Sequence, residues 1–170
     1  SKMKEAQMGD PNEKTTKLAP LARQDLLEKV NKQVEESLNK GATCLLGGHI
    51  AERKGYFFQP TVLEDIKPGM PAYDDEIFGP VVLLFKVKNI GEAVRIANDT
   101  RFGLGGGIFS SDIENARIIA RDKINSGMVT VNGICDAEAS LPFGGVKDSG
   151  YGREHARFGF KEFVNIKAVR

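Results

Sequence analysis

The stretch YDDEIFGPVV, residues 73–82, runs from three consecutive acidic residues through an aromatic residue and a Gly-Pro pair into an apolar run. The apolar run predicts a strand over residues 81–87 that is buried on both faces, as strands of parallel sheets are. Gly79 tolerates backbone angles that are closed to other residues, and Pro80 has no N–H to donate, which suits the first residue of a strand. The stretch therefore predicts a turn that enters a buried parallel strand.

The turn is expected to direct Glu76 and Phe78 away from the core. A carboxylate accepts hydrogen bonds from a sugar diol, and an aromatic ring packs against a flat group such as nicotinamide. The alternative is a solvated acidic turn with Phe78 packed in the core. On these residues alone, the alternative is the favoured interpretation.

Three segments carry the pattern of amphipathic helices. Apolar residues recur at every fourth position over residues 26–38, which predicts a helix over residues 20–40. Two more helices are predicted over residues 90–98 and 112–125, each opened by a polar residue that caps the first turn together with a glutamate three positions later. The two capping pairs are Asn89 with Glu92 and Ser111 with Glu114.

Apolar segments alternate with these helices and predict the strands. They lie near residues 42–46, 56–62, 81–87, 106–110 and 128–132. Strands that alternate with helices predict an α/β fold, a mostly parallel open sheet with flanking helices. Cys44 is expected to be a small buried hydrophobe in the first strand, since nothing near it in sequence would lower the pKa of its thiol.

Length, charge and cysteine content restrict the class of protein. The 170 residues are enough for one domain. Its 24 basic and 23 acidic residues give a net charge of +1, so no chain-wide field draws the protein to nucleic acid or an anionic membrane. No apolar run approaches the roughly 20 residues that span a bilayer, and a cytoplasmic protein is expected. The few cysteines and histidines predict neither a disulfide framework nor a metal site.

A pocket is expected beyond the last strand of the predicted sheet. Ligands bind outside the carboxyl ends of strands in open α/β sheets, which makes residues 132–145 the predicted pocket wall. Cys135 and Phe143 are its main candidates for substrate contact, together with Asp136 and Glu138. The alternative for Phe143, a core residue, stays open.

Four segments of the chain together resemble aldehyde dehydrogenases, and they occur in that family's order. They are EIFGPV at 76–81, IANDTRFGL at 96–104, VN at 131–132 and PFGGVKDSG at 142–150. The resemblance covers nearly the whole chain and identifies it as the carboxy-terminal part of such an enzyme, following the Gly-Gln-x-Cys nucleophile segment. It implies that Glu76 and Phe78 bind the cofactor, that Cys135 lies in the loop facing the aldehyde, and that Phe143 packs near the nucleophile.

The resemblance also implies a reaction. The family oxidises an aldehyde to its acid through a cysteine thiohemiacetal that passes hydride to NAD or NADP. This chain lacks the nucleophile segment, the general-base glutamate and the dinucleotide loop, so no catalytic residue is assigned and the isolated chain is expected to be inactive. The cofactor would be bound mainly by a domain absent from this chain.

The resemblance further implies a division of the chain and a substrate. Residues 1–159 would be a partial catalytic domain, and residues 160–170 an oligomerisation strand of a homodimer or homotetramer. The likeness is strongest to the succinate-semialdehyde dehydrogenase branch, although Ala137 and Glu138 stand where some of its members carry serines. A non-catalytic assembly or regulatory module of the same fold is the alternative, and a nucleotide-binding protein that uses the acidic turn alone is a second one.

Overall fold

The structure, a computed structural model, describes residues 2–170. The chain divides into two compact units, one that ends at Lys86 and one that begins at Val87. Length alone predicts a single domain, and the division corrects that expectation. Both units combine helices with parallel strand pairs, which confirms the predicted α/β class.

The first unit is a three-stranded sheet with one long helix. Its elements are α1 (Gln24–Asn39), β1 (Thr43–Leu46), β2 (Thr61–Glu64), α2 (Pro71–Asp74) and β3 (Val81–Leu83). The strand order is β1-β2-β3, with β2 parallel to β3 and antiparallel to β1. The predicted strand near residues 56–62 thus begins later, directly after Pro60.

The core of the first unit lies between α1 and the central strand. Val30 and Val34, four residues apart on α1, are almost completely buried and pack with Phe58 and Leu63. The spacing places them on one face of the helix, as predicted. At the start of this face Leu27, and not Leu26, is the buried residue.

The second unit alternates helices and strands. Its elements are α3 (Ile90–Asn98), β4 (Gly105–Ile108), α4 (Ile113–Asp122), β5 (Met128–Val131), a 3₁₀ turn (Lys147–Ser149) and α5 (Ala156–Lys161). Strands β4 and β5 pair in parallel, from Gly105 opposite Met128 to Ile108 opposite Val131. The parallel pairing predicted from the alternation of strands and helices is confirmed here.

The two predicted helix caps have different outcomes. Asn89 caps α3, because its Oδ1 accepts a hydrogen bond of 2.9 Å from the backbone N–H of Glu92. The second prediction, Ser111, is wrong by one residue. Helix α4 begins at Ile113, so Asp112 is the residue whose carboxylate reaches the N–H of Asn115, at 3.1 Å.

The predicted burial of Cys44 in β1 is wrong, and β3 is buried on one face only, where Val81 and Leu83 pack against the core. Cys44 in β1 is exposed, and Val82 in β3 is 39% exposed. The reason is their place in the sheet, since β1 and β3 are its two edges and only β2 lies between two neighbours. Cys44 is therefore an exposed thiol whose Sγ lies 3.2 Å from the carbonyl oxygen of Leu46.

The last residues of the chain do not form the predicted strand. Helix α5 extends to Lys161, across the predicted boundary between residues 159 and 160, and residues 164–170 belong to no helix or strand. A strand needs a partner, and none of residues 2–163 pairs with this segment. Its assignment to oligomerisation stays a prediction. Within residues 2–170 no helix has the length and apolar character to cross a membrane.

Candidate functional site

The turn between α2 and β3 presents alternate side chains to opposite sides. Glu76 is exposed and Phe78 is 70% exposed, whereas Ile77 between them packs against the core cluster. The backbone is tightly turned, with hydrogen bonds from Gly79 N to Ile77 O and from Val81 N to Gly79 O. The predicted outward direction of Glu76 and Phe78 is confirmed, and the interpretation of Phe78 as a core residue is wrong.

Helix α1 packs against this turn. A Cβ atom at Gly79 would lie 2.9 Å from Cγ2 of Val30, so only glycine lets the turn approach the helix this closely. Next along α1, the buried side chain of Gln33 donates from Nε2 to the carbonyl oxygen of Glu76, at 3.3 Å. Gln33 was not among the residues singled out in the sequence. The available signal was a polar residue directly before Val34, on the buried side of the helix.

In the second unit, a cleft of about 740 Å³ opens beside β5 and the segment that follows it. Its lining residues are Ile113, Arg117, Val129, Thr130, Val131, Asn132, Ile134, Asp136, Ala137, Glu138 and Leu141. The cleft therefore lies along the segment that the sequence indicates as a pocket wall. Its lining combines apolar side chains with polar Thr130 and Asn132, and its charges come from one guanidinium and two carboxylates.

Asn132 shapes the mouth of this cleft. Its backbone is in the left-handed region, with φ 55°, which asparagine adopts more readily than most residues. Its side chain bonds both backbone groups of Ser110, with Oδ1 accepting from N and Nδ2 donating to O, each at 2.8 Å. The ends of β4 and β5 are thereby joined where the predicted pocket wall starts.

The charged residues of the cleft are partly paired. Arg117 donates to Glu114 at 2.9 Å, one turn earlier on α4. Glu138 accepts a hydrogen bond of 2.6 Å from the hydroxyl of Ser140. Glu138 lines the cleft, so a ligand in it meets a negative charge at this position.

The two residues predicted to contact substrate lie outside the lining of this cleft. Cys135 is half-buried and lies against β4, where a Cβ atom at Gly105 would be 2.8 Å from its Sγ. Phe143 is half-buried, and its backbone exchanges hydrogen bonds of 2.9 and 2.7 Å with Glu154. Its ring centroid is 5.8 Å from that of His155. The structure does not gather Cys135 and Phe143 around the cleft, and Glu76 and Phe78 belong to the other unit.

Backbone contacts fix the glycine-rich loop that follows Phe143. A Cβ atom at Gly127 would overlap the carbonyl oxygen of Gly144. The Nζ of Lys147 donates to the carbonyl oxygens of Asn98 and Thr100, both at 2.9 Å, at the end of α3. The loop is thus attached to the ends of neighbouring elements, which sets the position of Phe143.

The arrangement of these residues agrees with a known family. The profile described as "Aldehyde dehydrogenase family" matches residues 1–169. The chain belongs to the aldehyde dehydrogenase family. The resemblance that the four segments indicate is confirmed.

Curated relatives and solved structures of the family cover the chain almost completely. It is 45% identical over 162 residues to a succinate-semialdehyde dehydrogenase (NADP(+)) of Deinococcus radiodurans, covering 95% of this chain and 34% of the relative. It is 43% identical over 162 residues to the succinate semialdehyde dehydrogenase (NAD(P)+) Sad of Escherichia coli, covering 95% of this chain and 35% of the relative. The chain spans about a third of the length of these relatives.

Two structures in complex with cofactor share the fold. The succinic semialdehyde dehydrogenase from Streptococcus pyogenes, in complex with NADP+, has a TM-score of 0.91 at 42% identity, covering 96% of this chain and 36% of that one. Betaine aldehyde dehydrogenase from Staphylococcus aureus, in complex with NAD+, has a TM-score of 0.90 at 32% identity, covering 95% and 33%. The predicted fold class is therefore that of the family.

Proposed function

We propose that this chain is part of a longer NAD(P)-dependent aldehyde dehydrogenase, which oxidises an aldehyde to its carboxylic acid through a cysteine thiohemiacetal. The observation that carries the proposal is the turn that presents Glu76 and Phe78 together to solvent in a chain of this family. Within residues 2–170, the Glu76 carboxylate has no hydrogen-bond or ion-pair partner. A free carboxylate beside an exposed ring fits a ribose diol and the flat ring attached to it.

In this proposal the chain binds and orients the cofactor and the substrate, and the reacting groups lie in the remainder of the longer protein. Glu76 accepts hydrogen bonds from the nicotinamide ribose, and Phe78 packs beside the nicotinamide, which supplies the hydride acceptor when bound. Neither Cys44 nor Cys135 stands in a Gly-Gln-x-Cys segment. The nucleophile, the general base and the dinucleotide loop would come from the remainder of the longer protein, which would also bind most of the NAD or NADP.

The substrate is an aldehyde, and the relatives support succinate semialdehyde. Cys135 and Phe143 are its proposed contacts, through the loop and the attached glycine-rich segment that position them. Glu138 is the feature of this chain that opposes an anionic tail, because its carboxylate lines the cleft and like charges repel. Turnover of succinate semialdehyde and of uncharged butanal by the longer protein, measured with and without Glu138→Gln, decides whether the substrate carries a charged tail.

The proposed enzyme is a homodimer or homotetramer. The support within this chain is the exposed apolar character of its last residues, where Phe163 is 91% and Ile166 78% exposed. Apolar side chains exposed in one contiguous segment are typical of a surface that pairs with another chain. Replacing Ile166 by proline removes one backbone donor from this segment and should weaken association in sedimentation.

The direct test of the proposal is Glu76→Gln in the longer protein. A hydrogen bond to a charged group is worth about 1.5–3 kcal/mol, so the substitution should lower cofactor affinity or the hydride-transfer rate about 10- to 100-fold. Glu52→Gln, at an exposed glutamate of the same unit, is the matched control and should leave both unchanged. If Glu76→Gln has the same kinetics as the control, Glu76 belongs to a solvated turn and does not bind the cofactor.

A further inference from the structure

Gln33 is an unusual residue for the interior of the first unit. Its side chain is only 7% exposed, on a helix face that also buries Val30, Val34 and Ser37. The Nε2 atom faces the carbonyl oxygen of Glu76 at 3.3 Å, and because a carbonyl oxygen only accepts, the amide nitrogen must be on that side. The Oε1 atom is buried and has no donor among the described residues.

A glutamine held in this way lowers the stability of the fold. A buried acceptor that leaves water without gaining a partner is unfavourable, and an apolar side chain of the same length would fill the site without that loss. Gln33 therefore contributes something other than packing. Its single hydrogen bond from the side chain reaches the backbone of Glu76.

Other contacts of α1 fix the chain on either side of Glu76, but none of them reaches it. The hydroxyl of Ser37 accepts a hydrogen bond of 3.0 Å from the N–H of Ala72, at the start of α2. Val30 lies against Gly79, after the turn. Between these two contacts, Gln33 alone among the described residues of α1 is hydrogen-bonded to the residue that carries the proposed cofactor contact.

We propose that Gln33 is a positioning residue, which holds the backbone of Glu76 so that its carboxylate faces the nicotinamide ribose. This inference rests on the proposed function. It predicts that the hydrogen bond of Gln33 favours cofactor binding while its buried oxygen disfavours folding. The two effects have opposite signs, and this separates positioning from a purely structural role.

The test uses Gln33→Met and Gln33→Leu in the longer dehydrogenase. Both variants remove the unpartnered acceptor and also leave the carbonyl oxygen of Glu76 without its donor, so these effects oppose each other and Tm in calorimetry should change little. The KM for the nicotinamide cofactor should rise about 2- to 10-fold, as the loss of one neutral hydrogen bond gives. In a Glu76→Gln background the same substitutions should add little, because the contact that they misplace is already lost.

Ser37→Ala is the matched control on the same helix. It leaves the N–H of Ala72 without its partner, so Tm should fall while the cofactor KM stays the same. A lower Tm with unchanged KM in both Gln33 variants, while Glu76→Gln raises KM, would overturn the positioning role alone. An unchanged KM in Glu76→Gln as well would overturn the proposed function and this inference with it.

Discussion

The two units of the chain are each stabilised by a different kind of interaction. Among residues 2–170, the buried hydrophobic residues lie in the unit that ends at Lys86, with the exception of Ala116. The unit that begins at Val87 leaves large apolar side chains such as Phe109, Ile118 and Leu141 about half or more exposed. The comparison indicates that the first unit is stabilised by side-chain packing, whereas the second depends on backbone contacts and hydrogen bonds.

These backbone contacts concentrate around the glycine-rich loop. Gly127 abuts Gly144, Lys147 bonds the end of α3, and the hydroxyl of Ser149 accepts from the N–H of Gly103 at 2.9 Å. Close backbone approach requires glycine, and it replaces apolar packing as the way to fix the loop. The substrate side of the proposed site is thus built on the less enclosed unit.

The largest expected effect comes from truncating matched phenylalanines in the two units. Phe58 is 1% exposed, and Phe58→Ala should lower the free energy of unfolding by about 3–5 kcal/mol. Phe109 is 74% exposed, and Phe109→Ala should change it by less than about 1 kcal/mol. Urea unfolding followed by circular dichroism measures both. Equal losses would contradict the difference between the units.

A pair of glycine substitutions tests the backbone contacts of the second unit. Gly127→Ala places a methyl group on the carbonyl of Gly144 and should cost about 1–3 kcal/mol or more, because backbone has to move. Gly106→Ala in β4 is the control, since its Cβ would lie at an ordinary 3.8 Å from Ile124. It should be neutral or stabilising, by restricting the unfolded chain. Similar urea midpoints for the two variants would refute the requirement for glycine at 127.

The smallest expected effect concerns the ion pair between Lys86 and Glu64, at 2.9 Å on the surface of the first unit. The hydrogen bond to Glu64 raises the pKa of Lys86 above its ordinary value. A raised lysine pKa adds stability below the unfolded pKa, and this is lost as the pH rises through the folded pKa. The unfolding midpoints of the original chain and Lys86→Met should therefore converge in the alkaline range. A difference between the two unfolding midpoints that does not change with pH would show that the ion pair is not the cause of that difference.

The sequence predicts the helices well because their signals are local. The apolar spacing along α1 and the cap at Asn89 depend on residues within one or two turns, and both are confirmed. Whether Cys44 is buried or exposed is not decided by its neighbours in sequence, because it depends on β1 being a sheet edge. The strand predicted over residues 160–170 likewise needs a partner that sequence spacing does not supply.

The same distinction applies to the candidate site. The outward direction of Glu76 and Phe78 follows from a turn that one glycine and one proline define. The support from Gln33 crosses 43 positions of sequence, so the one local signal, a polar residue beside Val34 on the buried side of α1, does not indicate what it bonds. Cys135, Phe143 and Glu138 all lie in the predicted pocket wall, but the sequence does not tell which of them line the cleft: Glu138 does, and Cys135 and Phe143 do not.

The proposed function assigns cofactor and substrate contacts to this chain and the nucleophile to the remainder of the longer protein. The most direct measurement compares formation of reduced nicotinamide cofactor by the longer protein and by the 170-residue chain, at equal concentration with succinate semialdehyde and with butanal. We expect the longer protein to form reduced cofactor with at least one of these aldehydes, and the chain alone to form none. Formation by the chain that disappears in Cys135→Ala, or no formation by the longer protein with either aldehyde, would contradict it.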